Sequence, residues 1–122
     1  MGCRPTGDKY SRLGLFITAA DMAKIDQLYL NRGAWNEKQL ISAEWIEAST
    51  SQHSRWDQLL YGYLWWIIGE KEHSYAALGD GENAIYVNPA KNLIVAITSF
   101  FKPVVKDRIE LIKEYIEPIY KD

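Results

Sequence analysis

Four consecutive residues, Asp80, Gly81, Glu82 and Asn83, put two carboxylates and an amide around a glycine, with Gly79 just before them. Glycines flanking Asp80 permit backbone angles that a side chain forbids, which suits a tight turn or a surface where a ligand lies against the main chain. The carboxylates are spaced to serve as acid and base, although such pairs in glycine-rich turns are more often solvated turn formers. Ser99 and Lys102 form a Ser-x-x-Lys, a nucleophile-and-base spacing that chance alone produces in about half of chains with this Ser and Lys content. Lys102 precedes Pro103 at the end of an apolar run, so it does not lie one helical turn after the serine, where a base would work. Tyr29-Leu30-Asn31 and Tyr86-Val87-Asn88 both fit Tyr-x-Asn; the first is the tail of a helix and the second runs into an Asn-Pro turn. His53 and His73 are the only histidines, and they read as a loop residue and a strand-start residue. With Cys3 the sole cysteine, an internal disulfide and a cysteine-only metal site are excluded. We expect no metal and no cofactor.

The elements that must position these groups follow from periodicity. Residues 61–68, 73–78, 83–89 and 92–100 are rich in β-branched and aromatic residues and bounded by Gly, Pro, Asn or charge. Linkers this short allow only antiparallel neighbours, since a parallel crossover needs about a dozen residues. In the first run, alternation places Trp65 and Trp66 on opposite faces, with Tyr61 and Tyr63 on the face of Trp65. Tyr61, Tyr63 and Trp65 are therefore candidates for a pocket wall, and equally for packing surface. Thr18 and Asp21 form a capping-box pattern ahead of Met22, Ile25, Leu28 and Tyr29, predicting a helix that Gly33 stops. Residues 36–38 make a polar turn, 39–41 a short extended piece, and Ser42 caps a second helix carrying Trp45 and Ile46. Residues 49–60 read as a polar loop whose Trp56 folds back onto the body. Beyond the sheet, Pro103 sits in a first helical turn and Val105, Ile109, Ile112 and Ile116 form one apolar stripe that ends at Pro118. The fold class predicted is α+β, a four-stranded antiparallel sheet flanked by helices, in a single domain over residues 1–122 with 1–13 poorly ordered.

Composition sets outer limits. The chain has 122 residues, 48% hydrophobic and 25% charged, which is ordinary for a globular domain. Its five Trp and eight Tyr imply a thick aromatic core or an apolar pocket. A net charge of −2 with both signs interspersed gives no support to a nucleic-acid partner. No apolar run approaches the ~20 residues that span a bilayer. Gly2 and Thr6 formally fit a myristoylation pattern, a short pattern that recurs by chance. There is no hydrophobic stretch of the secretory kind, and the compartment is left open.

Several blocks, in order, resemble a known family: residues 14–24 (GLFITAADMAK), 27–31 (QLYLN) with Gly33, 41–46 (ISAEWI) and 61–66 (YGYLWW). Together they resemble the later part of serine β-lactamase-related proteins, the class C β-lactamase and penicillin-binding group. The resemblance implies the carboxyl-terminal part of an acyl-serine hydrolase that cleaves an amide or ester, so a small-molecule, peptide or ester ligand. In that family a serine at a helix start attacks a carbonyl, a lysine and a tyrosine manage protons, and a third motif lies on a strand beside them. The third motif reads Lys-Thr-Gly, His-x-Gly or x-Gly-Gly; the matching positions here are Asp80, Gly81 and Glu82, followed by Asn83 where a backbone N–H would serve the oxyanion hole. Such a donor is worth ~3 kcal/mol in the transition state. Acidic residues in place of a cation make a substrate carboxylate unwelcome. The nucleophile block would lie upstream of Gly14, where thirteen residues cannot hold it, so no catalytic residue is assigned in this chain and the chain alone is expected to be inactive. The alternative is a non-catalytic binding or interaction module. Uncovered aromatic surface around Trp56, Tyr61, Tyr63 and Trp65 implies a homodimer.

Overall fold

The computed structural model describes residues 2–3, 15–69, 71–79, 83–99 and 107–120. Two short strands, β1 (Gly2–Cys3) and β2 (Leu15–Phe16), pair antiparallel. Helix α1 (Ala19–Leu30) follows, its N-cap Thr18 accepting from the Asp21 N–H as the capping pattern predicts. Gly33, at φ +90°, turns the chain out of the helix; a Cβ there would lie 2.0 Å from the Ile41 carbonyl oxygen. A hairpin of β3 (Ala34–Trp35) and β4 (Lys38–Gln39) turns through Asn36 and Glu37, both in the left-handed region. Ser42 then caps α2 (Ala43–Ser49) by accepting from the Trp45 N–H.

The rest is a meander. Strands β5 (Ser54–Trp56), β6 (Leu59–Tyr61), β7 (Trp66–Gly69), β8 (Ser74–Gly79), β9 (Asn83–Asn88) and β10 (Leu93–Ile97) form one antiparallel sheet in sequential order. The expected architecture, α+β with an antiparallel sheet flanked by helices, is what the structure has. Two details differ. Residues 49–60 contain the hairpin β5–β6, and Trp56 is 72% exposed instead of folded back. All three β5 residues are exposed on the sheet edge, so no apolar alternation announces the strand. The run 61–68 is not one strand: it breaks after Tyr61 and resumes at Trp66. Between them the Gly62 N–H donates to the Trp65 carbonyl, and Leu64 adopts φ +68°.

Register divides the core in two. Ile67, Tyr75, Val87 and Ile94 fall in one cross-strand row, and this face packs against Trp65 and against Tyr29 and Leu30 of α1. Trp66, Ala76, Tyr86 and Val95 form the row on the opposite face, covered by Ile109, Ile112 and Ile116 of the C-terminal helix. That helix comprises α3 (Arg108–Leu111), a π-helical turn (Ile112–Ile116) and a 3-10 turn (Glu117–Ile119). The apolar stripe read from sequence holds from Ile109 to Ile116; Pro103 and Val105 lie outside the described residues. The sheet is thus sandwiched between α1 and the C-terminal helix, each burying one apolar stripe on one sheet face.

Candidate functional site

The candidate motif falls in the connection between β8 and β9. Asp80, Gly81 and Glu82 lie outside the described residues, so the structure bears on the strand ends that hold them. Gly79 closes β8 and pairs across the ladder with Asn83, the first residue of β9. The Asn83 side-chain oxygen accepts from the Ser99 N–H at 3.1 Å, tying the start of β9 to the chain beyond β10. Beside this pair, on the side of α1, is a cavity of about 230 Å³ lined by Met22, Ala77, Leu78, Gly79, Asn83 and Ile85 among others. Its wall is almost wholly apolar. Gly79 is not demanded by local sterics: a Cβ built there meets nothing nearer than the Asn83 Cβ, at 3.9 Å. A glycine that the fold does not need leaves a strip of main chain uncovered beside the cavity, where a ligand could lie along it.

The three aromatic candidates do not converge. Trp65 precedes β7 and is buried against Tyr29 and Tyr75, with ring centroids 4.6 and 5.2 Å away. Tyr61 packs on Trp66 at 4.5 Å. Tyr63 is 46% exposed and lies between two near-parallel rings, His53 at 4.0 Å and Trp45 at 5.6 Å. The strand alternation that joined Tyr61, Tyr63 and Trp65 on one face is broken by the turn at Gly62, and none of the three borders the β8–β9 cavity.

Other sequence candidates resolve into structural roles. Ser99 follows β10, and Lys102 lies outside the described residues. Tyr29 packs on Trp65, while Asn31 accepts from the Gln27 amide one turn back. His53 is exposed and bonded to the Ala48 carbonyl; His73 stands before β8, its pKa lowered by burial. Among the described residues no three His, Cys, Asp or Glu side chains are grouped as metal ligands require, and no helix is long and apolar enough to cross a membrane.

Two polar features escape the sequence reading. Tyr86 and Asn88, two apart on β9, point at the C-terminal helix, where the Tyr86 hydroxyl and the Asn88 amide both donate to Glu117. Lys113, one turn earlier, donates to the same carboxylate oxygen at 2.9 Å. Burial alone would raise the Glu117 pKa, but the bonds from Tyr86, Lys113 and Asn88 outweigh it and hold the pKa below the ordinary value. Asp26, on the sheet-facing side of α1, has no exposed surface and neither carboxylate oxygen is hydrogen-bonded. Desolvation pushes its pKa up to about 8. The Lys113–Glu117 spacing of four and the Tyr-x-Asn on one strand face were the available signals for the first; nothing in the local sequence marks the second.

No family model and no curated protein matches this chain. Solved structures do match. One, a protein described as a 6-aminohexanoate-dimer hydrolase from Bacillus anthracis, superposes with a TM-score of 0.64 at 26% identity over 83% of this chain. The match spans 28% of the length of that protein, whose fold is of the β-lactamase/transpeptidase type. The chain therefore has the fold of the sheet part of a serine β-lactamase-like hydrolase.

Proposed function

We propose that the chain is the sheet portion of an acyl-serine hydrolase that cleaves an amide or ester, with the β8–β9 end as one wall of the active site. The carrying observation is the structural match across 83% of the chain to a hydrolase of this fold. Asp80, Gly81 and Glu82 are then the third-motif residues, and Asn83 supplies the backbone donor to the oxyanion hole. The cavity beside Gly79 takes an apolar part of the substrate. With carboxylates where relatives carry a cation, the preferred acyl compound has no carboxylate beside the scissile bond. The attacking serine comes from outside this chain, so the chain alone has no esterase activity above background.

The test is a fluorophosphonate probe, applied to this chain and to the longest polypeptide its reading frame encodes. Labelling of the longer polypeptide and not of this chain is the expected result. Labelling of neither favours the second reading, a non-catalytic module, which the solvent-facing Trp45–Tyr63–His53 stack supports. Labelling of this chain that Ser99→Ala abolishes would overturn the assignment of the nucleophile elsewhere.

A further inference from the structure

A second cavity, of about 240 Å³, opens at the other end of β8, where the last turns of α1 and α2 meet the strand. Its floor is apolar and aromatic, formed by Tyr29, Leu30, Ile46 and Tyr75. Two features set it apart from an ordinary packing defect. Tyr75 is 2% exposed, yet among the described residues its hydroxyl has no hydrogen-bond partner. That hydroxyl is not sealed in, as the Asp26 carboxyl and the Ser74 hydroxyl are, so it is open to a hydrogen bond from a molecule that enters the cavity. The rim also carries one cation and one anion, Arg32 and Glu47, and neither forms an ion pair among the described residues.

The cation is positioned, not trailing. Arg32 adopts φ +54°, a conformation that non-glycine residues seldom hold. Its backbone is pinned on both sides, the N–H donating to the Tyr29 carbonyl at 3.0 Å and the carbonyl accepting from the Gln39 amide at 2.8 Å. Burial first, and then the Asp26 and Tyr29 side chains, raise the pKa of the Tyr75 phenol, and the Arg32 charge opposes them. His73, also on the rim, is an exposed residue whose pKa is lowered by partial desolvation.

A ligand bearing one charge would satisfy Arg32 or Glu47 and leave the other facing its apolar body. A zwitterion answers both. At the ~30 Å³ that a water molecule occupies in the liquid, the cavity holds about eight non-hydrogen atoms, the scale of one amino acid. We propose that this cavity is a binding site for a free amino acid with an apolar side chain, its carboxylate on Arg32 and the Tyr75 hydroxyl, its ammonium on Glu47, and its side chain against Tyr29 and Ile46. The site lies at the opposite end of the strand from the candidate active site and does not depend on the hydrolase reading.

Calorimetric titration of this chain with L-leucine, N-acetyl-L-leucine and L-leucine methyl ester tests it. Leucine should bind saturably, with Kd about 1 mM or tighter, and each blocked analogue at least tenfold more weakly. Arg32→Ala and Glu47→Ala, both at exposed positions, should each weaken leucine at least tenfold with unchanged circular dichroism. Tyr75→Phe, which removes only the hydroxyl, should weaken it several-fold. Absence of saturable leucine binding would overturn the proposal, and so would a blocked analogue binding as tightly as leucine, since one charge would then suffice.

Discussion

Asp26 costs the fold free energy that most helices do not spend. It stands on the buried stripe of α1 with Met22 before it and Tyr29 after it, where periodicity calls for an apolar side chain. With no partner for either oxygen, its charged form is disfavoured, and its pKa rises from the ordinary 3.8 to about 8. A carboxyl whose folded pKa lies above its unfolded value holds its proton more tightly when folded. Its effect on stability is therefore harmless below the unfolded pKa, worsens as pH rises from about 4 towards 8, and then levels off. Glu117 runs the other way: its pKa is lowered, so its contribution is present above the unfolded value and lost only as pH falls through the folded one. Between pH 5 and 8 Glu117 is ionised in both states; His73, its pKa lowered, opposes Asp26 with stability that rises as pH climbs towards its ordinary 6.5, and the larger shift of Asp26 sets the sign of the slope. The thermal midpoint of the chain should fall over that interval by an amount equivalent to a few kcal/mol, at ~1.4 kcal/mol per pH unit at most. Asp26→Asn, similar in shape and never charged, should flatten the profile and raise the midpoint at pH 8. Identical profiles for the two proteins would show that the carboxyl is solvated after all.

At the scale of elements, the C-terminal helix is held by polar as well as apolar contacts. Ile112 is fully buried on the sheet, and beside it Glu117 collects donors from Tyr86, Asn88 and Lys113. The π-helical turn between Ile112 and Ile116 widens the helix just before this carboxylate. Glu117→Ala leaves buried donors without an acceptor and should cost roughly 1–3 kcal/mol, read from urea denaturation, with amide exchange accelerated first in residues 108–119. Uniform acceleration across the sheet would mean that the helix unfolds only with the whole domain. A second hinge of the architecture is Gly62, where a Cβ would lie 2.3 Å from the Ser49 carbonyl oxygen. Gly62→Ala should therefore loosen α2 from the β6–β7 turn and cost about 2 kcal/mol or more; an unchanged midpoint would refute this close approach. These elements differ in how openly the sequence announces them. Thr18 and Ser42 cap their helices through contacts three residues away, which is why both starts are legible. The break at residues 62–65 is not, because Leu64 takes a left-handed conformation that leucine gives no reason to expect. The β5–β6 hairpin is hidden for a related reason: its edge strand is wholly exposed, and Asp57 turns the chain at φ +55° without a following glycine.

For the whole molecule, the order of moderately specific blocks carried the resemblance, and the fold agrees with it; the site is less legible. The third-motif positions depend on a turn, of which Asn83 at the head of β9 is the described end, and the aromatic wall depends on an alternation that Gly62 interrupts. What the assembled chain leaves uncovered leads to the last prediction. Trp45, Tyr63 and Leu64 are 49%, 46% and 79% exposed, and Trp56 stands out from the edge strand β5. Leu64 pays for its exposure twice, once in uncovered apolar area and once in backbone conformation, a combination that marks a surface held for contact. Among the described residues the outer edge of β5 pairs with no other strand and offers main-chain donors and acceptors beside it. We therefore predict self-association through this corner, with β5 strands antiparallel across a twofold axis and the aromatic stacks on its flanks. Light scattering across a tenfold dilution should show a mass falling from dimer to monomer, and Trp56→Lys together with Leu64→Asn should leave a folded monomer at every concentration. A monomeric mass for the unaltered chain throughout, with no binding of a hydrophobic dye, would sink the idea and leave the aromatic corner to another partner.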